Sequence, residues 1–268
     1  MQLLDVFESP EEVAVVMECI SGGQLFERVI ELGCYSEQDA FTVLHRLVST
    51  LDFLHCLGLI HRDLKPENIL LMGESNTDIR LIDFGVSNTT GDDGMCQSQC
   101  GTLIYMAPEM MSGGGRSGIS RSYDEKSDLW ACGILLFVML SGAIPFFCED
   151  DEEFFEIVSH PDETLEFHED EWGEVSDAAV EMVRQILVAN PAARPGAAEL
   201  LLMPMIARCA PENGAIIDRR RWPAESLARA KEEAHQLKIG GLWTPPGAGE
   251  GGGDGGAELA ASLEPLRI

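Results

Sequence analysis

The sequence predicts an α+β fold, a little β structure followed by many helices. Three observations predict it. Residues 2–20 are rich in Val, Leu and Phe around a turn at Ser9-Pro10-Glu11-Glu12, the pattern of a strand hairpin. Ser36-Glu37-Gln38-Asp39 is a helix-capping signal. After it Val43, Leu44, Leu47, Val48, Leu51 and Leu54 recur at helical spacing, and the run ends near Cys56, where Gly58 stops it. Third, residues 130–147 carry no charge. Ser141, Gly142 and Pro145 interrupt them, and the solidly apolar part, Ile134 to Leu140, is too short to span a bilayer. A buried core helix is the reading.

The other elements follow in order. Ile69 to Leu71 and Ile79 to Ile82 read as short strands around a polar turn. Ser176 caps a helix with an inner face of Ala179, Val180, Val183, Ile186 and Leu187. Pro191 and Pro195 bracket the next turn. Ser112 to Ser122 is mostly Gly, Ser and Arg, a flexible surface insertion. Seven of the ten residues from Gly247 to Gly256 are glycine, too few side chains to offset chain entropy, so disorder is expected from about Thr244 onward.

Composition narrows the function. A chain of 268 residues, 45% hydrophobic and 24% charged, can bury a sizeable core. The net charge of −28 argues against nucleic acid or an anionic membrane as main partner, because phosphates are repelled. No basic stretch followed by an apolar one marks a signal peptide at the start. The eight cysteines are scattered without a C-x-x-C pair, which fits reduced thiols in a cytosolic protein better than disulfides or zinc.

The chemistry-bearing residues lie between the long helix and the buried one. His61-Arg62-Asp63-Leu64-Lys65-Pro66-Glu67-Asn68 is followed by Asp83-Phe84-Gly85, and then by Gly101-Thr102-Leu103-Ile104-Tyr105-Met106-Ala107-Pro108-Glu109. In order and spacing these motifs resemble the protein-kinase family over residues 1–206. The resemblance implies a kinase-like α+β fold: a complete helical C-lobe at 21–206, and at 1–20 only the last N-lobe strands and hinge. A helical extension at 207–243 and a Gly-rich tail at 244–268 would follow.

The resemblance also implies roles. Asp63 orients the substrate hydroxyl and accepts its proton, and Lys65 places a cation on the transferred phosphate. Asn68 and Asp83 offer hard oxygens to Mg²⁺. Lys65 marks a Ser/Thr rather than a tyrosine kinase, and the Thr102 hydroxyl bridges to Asp63 and Lys65. ATP is the phosphate donor. Met17 is the gatekeeper, the Glu18 carbonyl and Ile20 N–H pair with adenine, and Leu70 packs beneath the base. Gln24, Lys65 and Glu67 belong to the same nucleotide site. Gln24 stands where related kinases carry Glu, which argues against a strong arginine preference in the protein substrate.

Structural roles come with it. Asp128, in Asp128-Leu129-Trp130-Ala131-Cys132-Gly133, holds the catalytic loop from below, and Arg194 pairs with Glu109. Phe84 and His61 stack above Asp128 in a hydrophobic spine, with Leu3 as a further member, and Gly85 completes its motif. Ser98 is the candidate for activating phosphorylation, with Arg62 as partner to the phosphate; the alternative is an unmodified polar loop residue. Ser21 to Arg28, Cys100-Gly101-Thr102 and Trp172 are similar to calcium/calmodulin-dependent kinases.

Two stretches leave alternatives open. From Glu149 to Glu181 there are fifteen Asp and Glu and no Lys or Arg: a docking face for basic substrates, or a solvated surface. Arg219-Arg220-Arg221-Trp222 and the helix-like run to Leu237 form a calmodulin-binding segment or a plain carboxy-terminal helix. The family's Gly-rich loop, its Val-Ala-Ile-Lys lysine and the αC glutamate are expected before residue 1. Two function classes follow: a Ser/Thr protein kinase represented by a fragment that is inactive alone, or a catalytically inactive lobe acting as a binding or decoy module.

Overall fold

Two antiparallel strands open the chain, β1 (Leu3–Glu8) and β2 (Val13–Met17), with Leu3 opposite Met17, Phe7 opposite Ala14 and an irregularity between Leu3 and Asp5. The turn closes through the Ser9 N–H, which donates to the Glu12 carbonyl at 2.8 Å. A computed structural model describes residues 3–9, 12–84, 88–89, 103–111, 124–148 and 150–210. The expectations for Gly85, Ser98, Thr102, the 112–122 insertion and everything beyond 210 lie outside the described residues.

Behind the hairpin the chain turns helical, through α1 (Leu25–Leu32) and α2 (Glu37–Cys56). The α2 start is the expected cap: the Ser36 hydroxyl accepts the Asp39 N–H at 3.2 Å. Its apolar stripe is fully used, with Phe41, Val43, Leu44, Leu47, Val48 and Leu51 all buried. Two short strand pairs and their turns then carry the motif loops. β3 (Leu59–Ile60) pairs with β6 (Asn88–Thr89), and β4 (Ile69–Leu71) pairs with β5 (Ile79–Leu81). The β3–β6 pairing was not foreseen, since two-residue strands have no periodicity to read.

After the short α3 (Pro108–Met111) comes α4 (Lys126–Ser141), buried along its whole length from Ser127 to Leu140. It begins four residues before the apolar stretch does, because Ser127 and Asp128 are themselves buried. α4 packs on α2 and on α8 (Asp177–Ile186), which follows α5 (Asp151–Ser159), α6 (Pro161–Thr164) and α7 (Glu169–Trp172). At Gly133 a Cβ would stand 2.7 Å from Leu187 Cδ2 and 2.9 Å from Ile186 Cγ2, so the motif glycine sets how closely α4 approaches α8. On α8 the inner face also takes in Met182, while Val180 is only half-buried. α9 (Ala197–Leu200) and α10 (Pro204–Ala207) close the described chain against α2. No described helix is long and apolar enough to cross a membrane.

Candidate active site

The loop between β3 and β4 is held from beneath by one carboxylate. Asp128, in the first turn of α4, accepts the His61 N–H at Oδ2 (3.0 Å) and the Arg62 N–H at Oδ1 (2.9 Å). It is 1% exposed. Burial pushes its pKa up, but the His55 ring, His61 and the Arg62 N–H more than offset this and hold it below the ordinary carboxylate value. The grip falls where the backbone is strained: Arg62 has φ 73°, a left-handed value for a non-glycine residue. Such a residue costs about 1–3 kcal/mol and persists only where its surroundings over-determine it.

Beyond this anchor the loop presents its polar side chains together. Lys65 Nζ lies 2.7 Å from Asp63 Oδ2. Asn68 Nδ2 donates to the Asp63 carbonyl at 2.8 Å and to Asp63 Oδ2 at 3.2 Å. With its amide nitrogen committed to Asp63, Asn68 is left with an oxygen as its acceptor. The 3₁₀ turn Pro66–Asn68 sets this geometry, its Asn68 N–H donating to the Lys65 carbonyl at 3.0 Å. Glu67 Oε2 is buried with no hydrogen-bond partner among the described residues. Burial, and then the Glu67 charge, raise the pKa of the Tyr105 hydroxyl above its ordinary value. A cavity with room for about one water lies under the loop, lined by Arg62, Asp63, Tyr105, Met106, Ser127 and Asp128.

The second motif is stitched to the first. Ile82 N–H donates to the Asn68 carbonyl at 2.9 Å, and His61 Nε2 donates to the Ile82 carbonyl at 3.1 Å. The next residue, Asp83, is exposed and has φ 62°, the other non-glycine residue with positive φ among those described. Phe84 sets its ring edge-on to His61, centroids 5.0 Å apart. Phe84, His61 and Asp128 are thus continuous, while Leu3 remains 42% exposed.

The strand end and hinge reach the same place from the other side. Gly22 N–H donates to the Leu71 carbonyl (3.0 Å), Leu71 N–H donates to the Gly23 carbonyl (2.9 Å), and Gln24 bridges Leu70. A Cβ on Gly22 would stand 2.2 Å from the Leu71 oxygen, so this stitch requires glycine. Leu70 is half-buried between buried Ile69 and Leu71. Met17 is exposed, and Glu18 and Ile20 are half-buried.

Below the site Arg194 is fully buried and uses all five of its N–H groups. Nη1 and Nη2 meet Glu109 Oε1 and Oε2 at 2.7 and 3.0 Å, and the Val188, Lys126 and Ala189 carbonyls take the rest at 3.0, 2.7 and 3.3 Å. Its guanidinium also lies 5.2 Å from the Trp130 ring centroid. Sequence reasoning missed Lys126, whose Nζ donates to the Arg194 carbonyl at 2.5 Å, and His55, whose ring touches Asp128 at 2.8 Å. Each is a single polar residue at the end of a helix pattern, with no motif around it to single it out.

Asn68 and Asp83 are one amide oxygen and one carboxylate, a donor set for a hard cation that takes its remaining ligands from phosphate and water. Among the described residues no group of three or more His, Cys, Asp or Glu side chains forms a metal cage. The oxygens of Asn68 and Asp83 are of the kind that fits a magnesium ion.

Residues 1–206 match the family model described as the protein kinase domain. Over 205 residues the chain is 36% identical to myosin light chain kinase A of Dictyostelium discoideum, covering 76% of this chain and 66% of that protein. It is 36% identical over 236 residues to calcium-dependent protein kinase 7 of Oryza sativa subsp. japonica, covering 88% and 41%. With calcium-dependent protein kinase 27 of the same plant it shares 36% over 201 residues, covering 75% and 31%. The chain thus spans less than two thirds of the length of these relatives.

Proposed function

The chain belongs to the protein kinase family, and from that premise we propose that it transfers the terminal phosphoryl group of ATP to serine or threonine hydroxyls of a protein substrate. The observation that carries the reading is the arrangement at Asp63, whose Oδ2 meets Lys65 Nζ at 2.7 Å and Asn68 Nδ2 at 3.2 Å. A carboxylate held this way has its orientation fixed from two directions and remains able to accept the proton of an incoming hydroxyl. Lys65 supplies a cation beside it, where charge on a migrating phosphoryl group needs neutralising.

Asn68 and Asp83 are the residues that would hold magnesium; the ion, when bound, neutralises phosphate charge. Asp63, Lys65 and Asn68 order the reacting groups, and Asp128 keeps their loop in its strained shape. Leu70 and the backbone of Glu18 and Ile20 form the adenine side, with Gln24 toward the ribose. Arg62 would receive a phosphate on Ser98, and Thr102 would complete the catalytic loop. A basic partner for the acidic 149–181 stretch and calmodulin for the 219–237 segment remain part of the proposal, in keeping with the calcium-dependent names among the relatives. The 268 residues hold no Gly-rich loop leading into a Val-Ala-Ile-Lys strand, so that means of clamping phosphate is not supplied by them.

The test compares wild type with Asp63→Ala, each carrying any further segment its gene encodes. Label from γ-phosphate-labelled ATP should appear on serine and threonine of added protein. The variant should lose about 10²–10⁴ of that rate, the range of general-base catalysis. Near-normal transfer in Asp63→Ala would remove the assigned role. Nucleotide binding without transfer by the wild type would favour the binding-module reading.

A further inference from the structure

We infer that Ser75 is a phosphorylation site, and that its phosphate is received by two backbone N–H groups of its own turn and by the guanidinium groups of Arg46 and Arg80. Ser75 is here an acceptor of phosphate and no part of the catalytic loop, so the inference stands apart from the transfer reaction proposed above.

The turn between β4 and β5 spans residues 72–78. The Met72 N–H closes it by donating to the Asp78 carbonyl at 2.8 Å. Within it the Ser75 hydroxyl oxygen accepts two N–H groups, from Asp78 at 2.9 Å and from Thr77 at 3.2 Å. Converging backbone N–H groups make a seat for an anion, and a neutral hydroxyl fills that seat only in part. Three arginines reach the same turn from three elements. Arg46 of α2 places Nη1 3.1 Å from Asp78 Oδ1, and Arg80 of β5 places its Nη1 3.0 Å from the same oxygen. Arg28 of α1 donates to Asn76 Oδ1.

Around Asp78 the charges do not balance. One carboxylate faces two guanidinium groups, while Arg28 is paired separately with Glu31 at 3.0 Å. A positive charge is left over, in a chain whose net charge is −28. Glu74, the other acid of the turn, is exposed, and solvent screens it. Donors are left over as well. Arg46 Nε is buried with no hydrogen-bond partner among the described residues, which is unfavourable until an acceptor arrives. A phosphate on Ser75 brings nearly two negative charges and three acceptor oxygens. It would replace a weak acceptor in the N–H seat and complete the pairing of both guanidinium groups.

The surrounding residues suit an acid-directed kinase, with Glu74 just before Ser75 and Asp78 three residues after it. Kinases select substrates by such charge patterns. In the step the Ser75 Oγ–P bond forms as the bond from the γ-phosphorus of ATP to its bridging oxygen breaks. ADP leaves, and the hydroxyl proton passes to the base of the modifying kinase. The strands on either side of the turn carry Leu70 and lead to Asp83, so charge-assisted bonds in the turn steady both.

The experiment uses the 268-residue chain as wild type, as Ser75→Ala and as the double variant Arg46→Gln with Arg80→Gln. Each is incubated with ATP and an acid-directed Ser/Thr kinase. Mass spectrometry should find phosphate on Ser75 of the wild type. Modified wild type should melt about 2 °C or more above the unmodified chain. The modified double variant should gain nothing, and Ser75→Ala should be unchanged by the same treatment. In wild type the ³¹P signal of the phosphoserine should titrate below its ordinary midpoint of about 6, because neighbouring cations favour the dianion. No phosphate on Ser75, phosphate on Thr77 alone, or an equal rise in melting temperature in wild type and double variant would each overturn the inference. Should the double variant not fold, the wild-type phosphate decides: a midpoint at or above about 6 overturns the inference and a lower one supports it.

Discussion

The β1–β2 hairpin and the α2–α4 pair are made of the same apolar residue types and meet opposite fates. On the helices Leu44, Leu51, Leu129 and Ile134 are 0% exposed. On the hairpin Leu4 is 57% exposed, Phe7 58%, Val15 50% and Val16 41%. The difference lies in partners. α2 packs on α4, α9 and α10, whereas the strands of the hairpin pair with each other. A lone two-stranded hairpin is marginal in water. The contrast divides the proposed site. Asp63, Lys65 and Asn68 stand on a loop anchored to the most buried helix, while Met17 and the hinge after it hang on an element whose faces are open.

The helical side of the comparison breaks most easily at Arg194. Arg194→Ala removes all five bonds and leaves the Glu109 carboxylate, 12% exposed, without its cation. Breaking such a pair from one side costs about 3–5 kcal/mol. Chemical denaturation should show a loss of that size, and a loss below about 1 kcal/mol would mean that the pair does not organise the body.

Asp128→Asn comes next, at about 1–3 kcal/mol, because an amide NH₂ would face N–H donors that now meet a carboxylate. Here the pH dependence also has a sign. The folded-state pKa of Asp128 lies below its ordinary value of 3.8, so its contribution is complete above 3.8 and is lost as the pH falls through the lowered value. Wild type should therefore lose stability in that acid range, and the Asn variant should lose less. Parallel curves for the two proteins would contradict the role of the ionised form.

Much of this was legible beforehand. The Ser36 cap, the α2 stripe, the β4–β5 pair and the whole burial of α4 follow from local pattern, because hydrophobic spacing reports which face turns inward. The Glu109–Arg194 pair came from a family likeness, since no local rule joins residues 85 positions apart. What stayed hidden was contact without pattern. His55 reads as one more polar residue near a helix end, and its meaning depends on Asp128, 73 positions away. The positive φ of Arg62 was equally invisible, because nothing about an arginine announces a left-handed backbone. The exposure of the hairpin has no signature in its sequence, because an apolar strand pattern does not say what covers it.

The smallest expected effect tests the hairpin itself. Phe7 is its most exposed large side chain, opposite Ala14 across the ladder. A Phe truncated to Ala inside a packed core costs about 3–5 kcal/mol, since its contacts are lost and a cavity remains. At a surface position the same change is within about 0.5 kcal/mol. Phe7→Ala in the 268-residue chain should therefore shift the denaturation midpoint by no more than the surface figure. The matching change on the helical side, Phe41→Ala, supplies the buried reference, because Phe41 is 0% exposed. If Phe7→Ala instead cost several kcal/mol, the hairpin would be covered in solution and its difference from the helices would vanish. If both changes cost little, the core around α2 would be looser than its burial implies. Only a small cost at Phe7 beside a large one at Phe41 keeps the two regions as distinct as their exposure makes them.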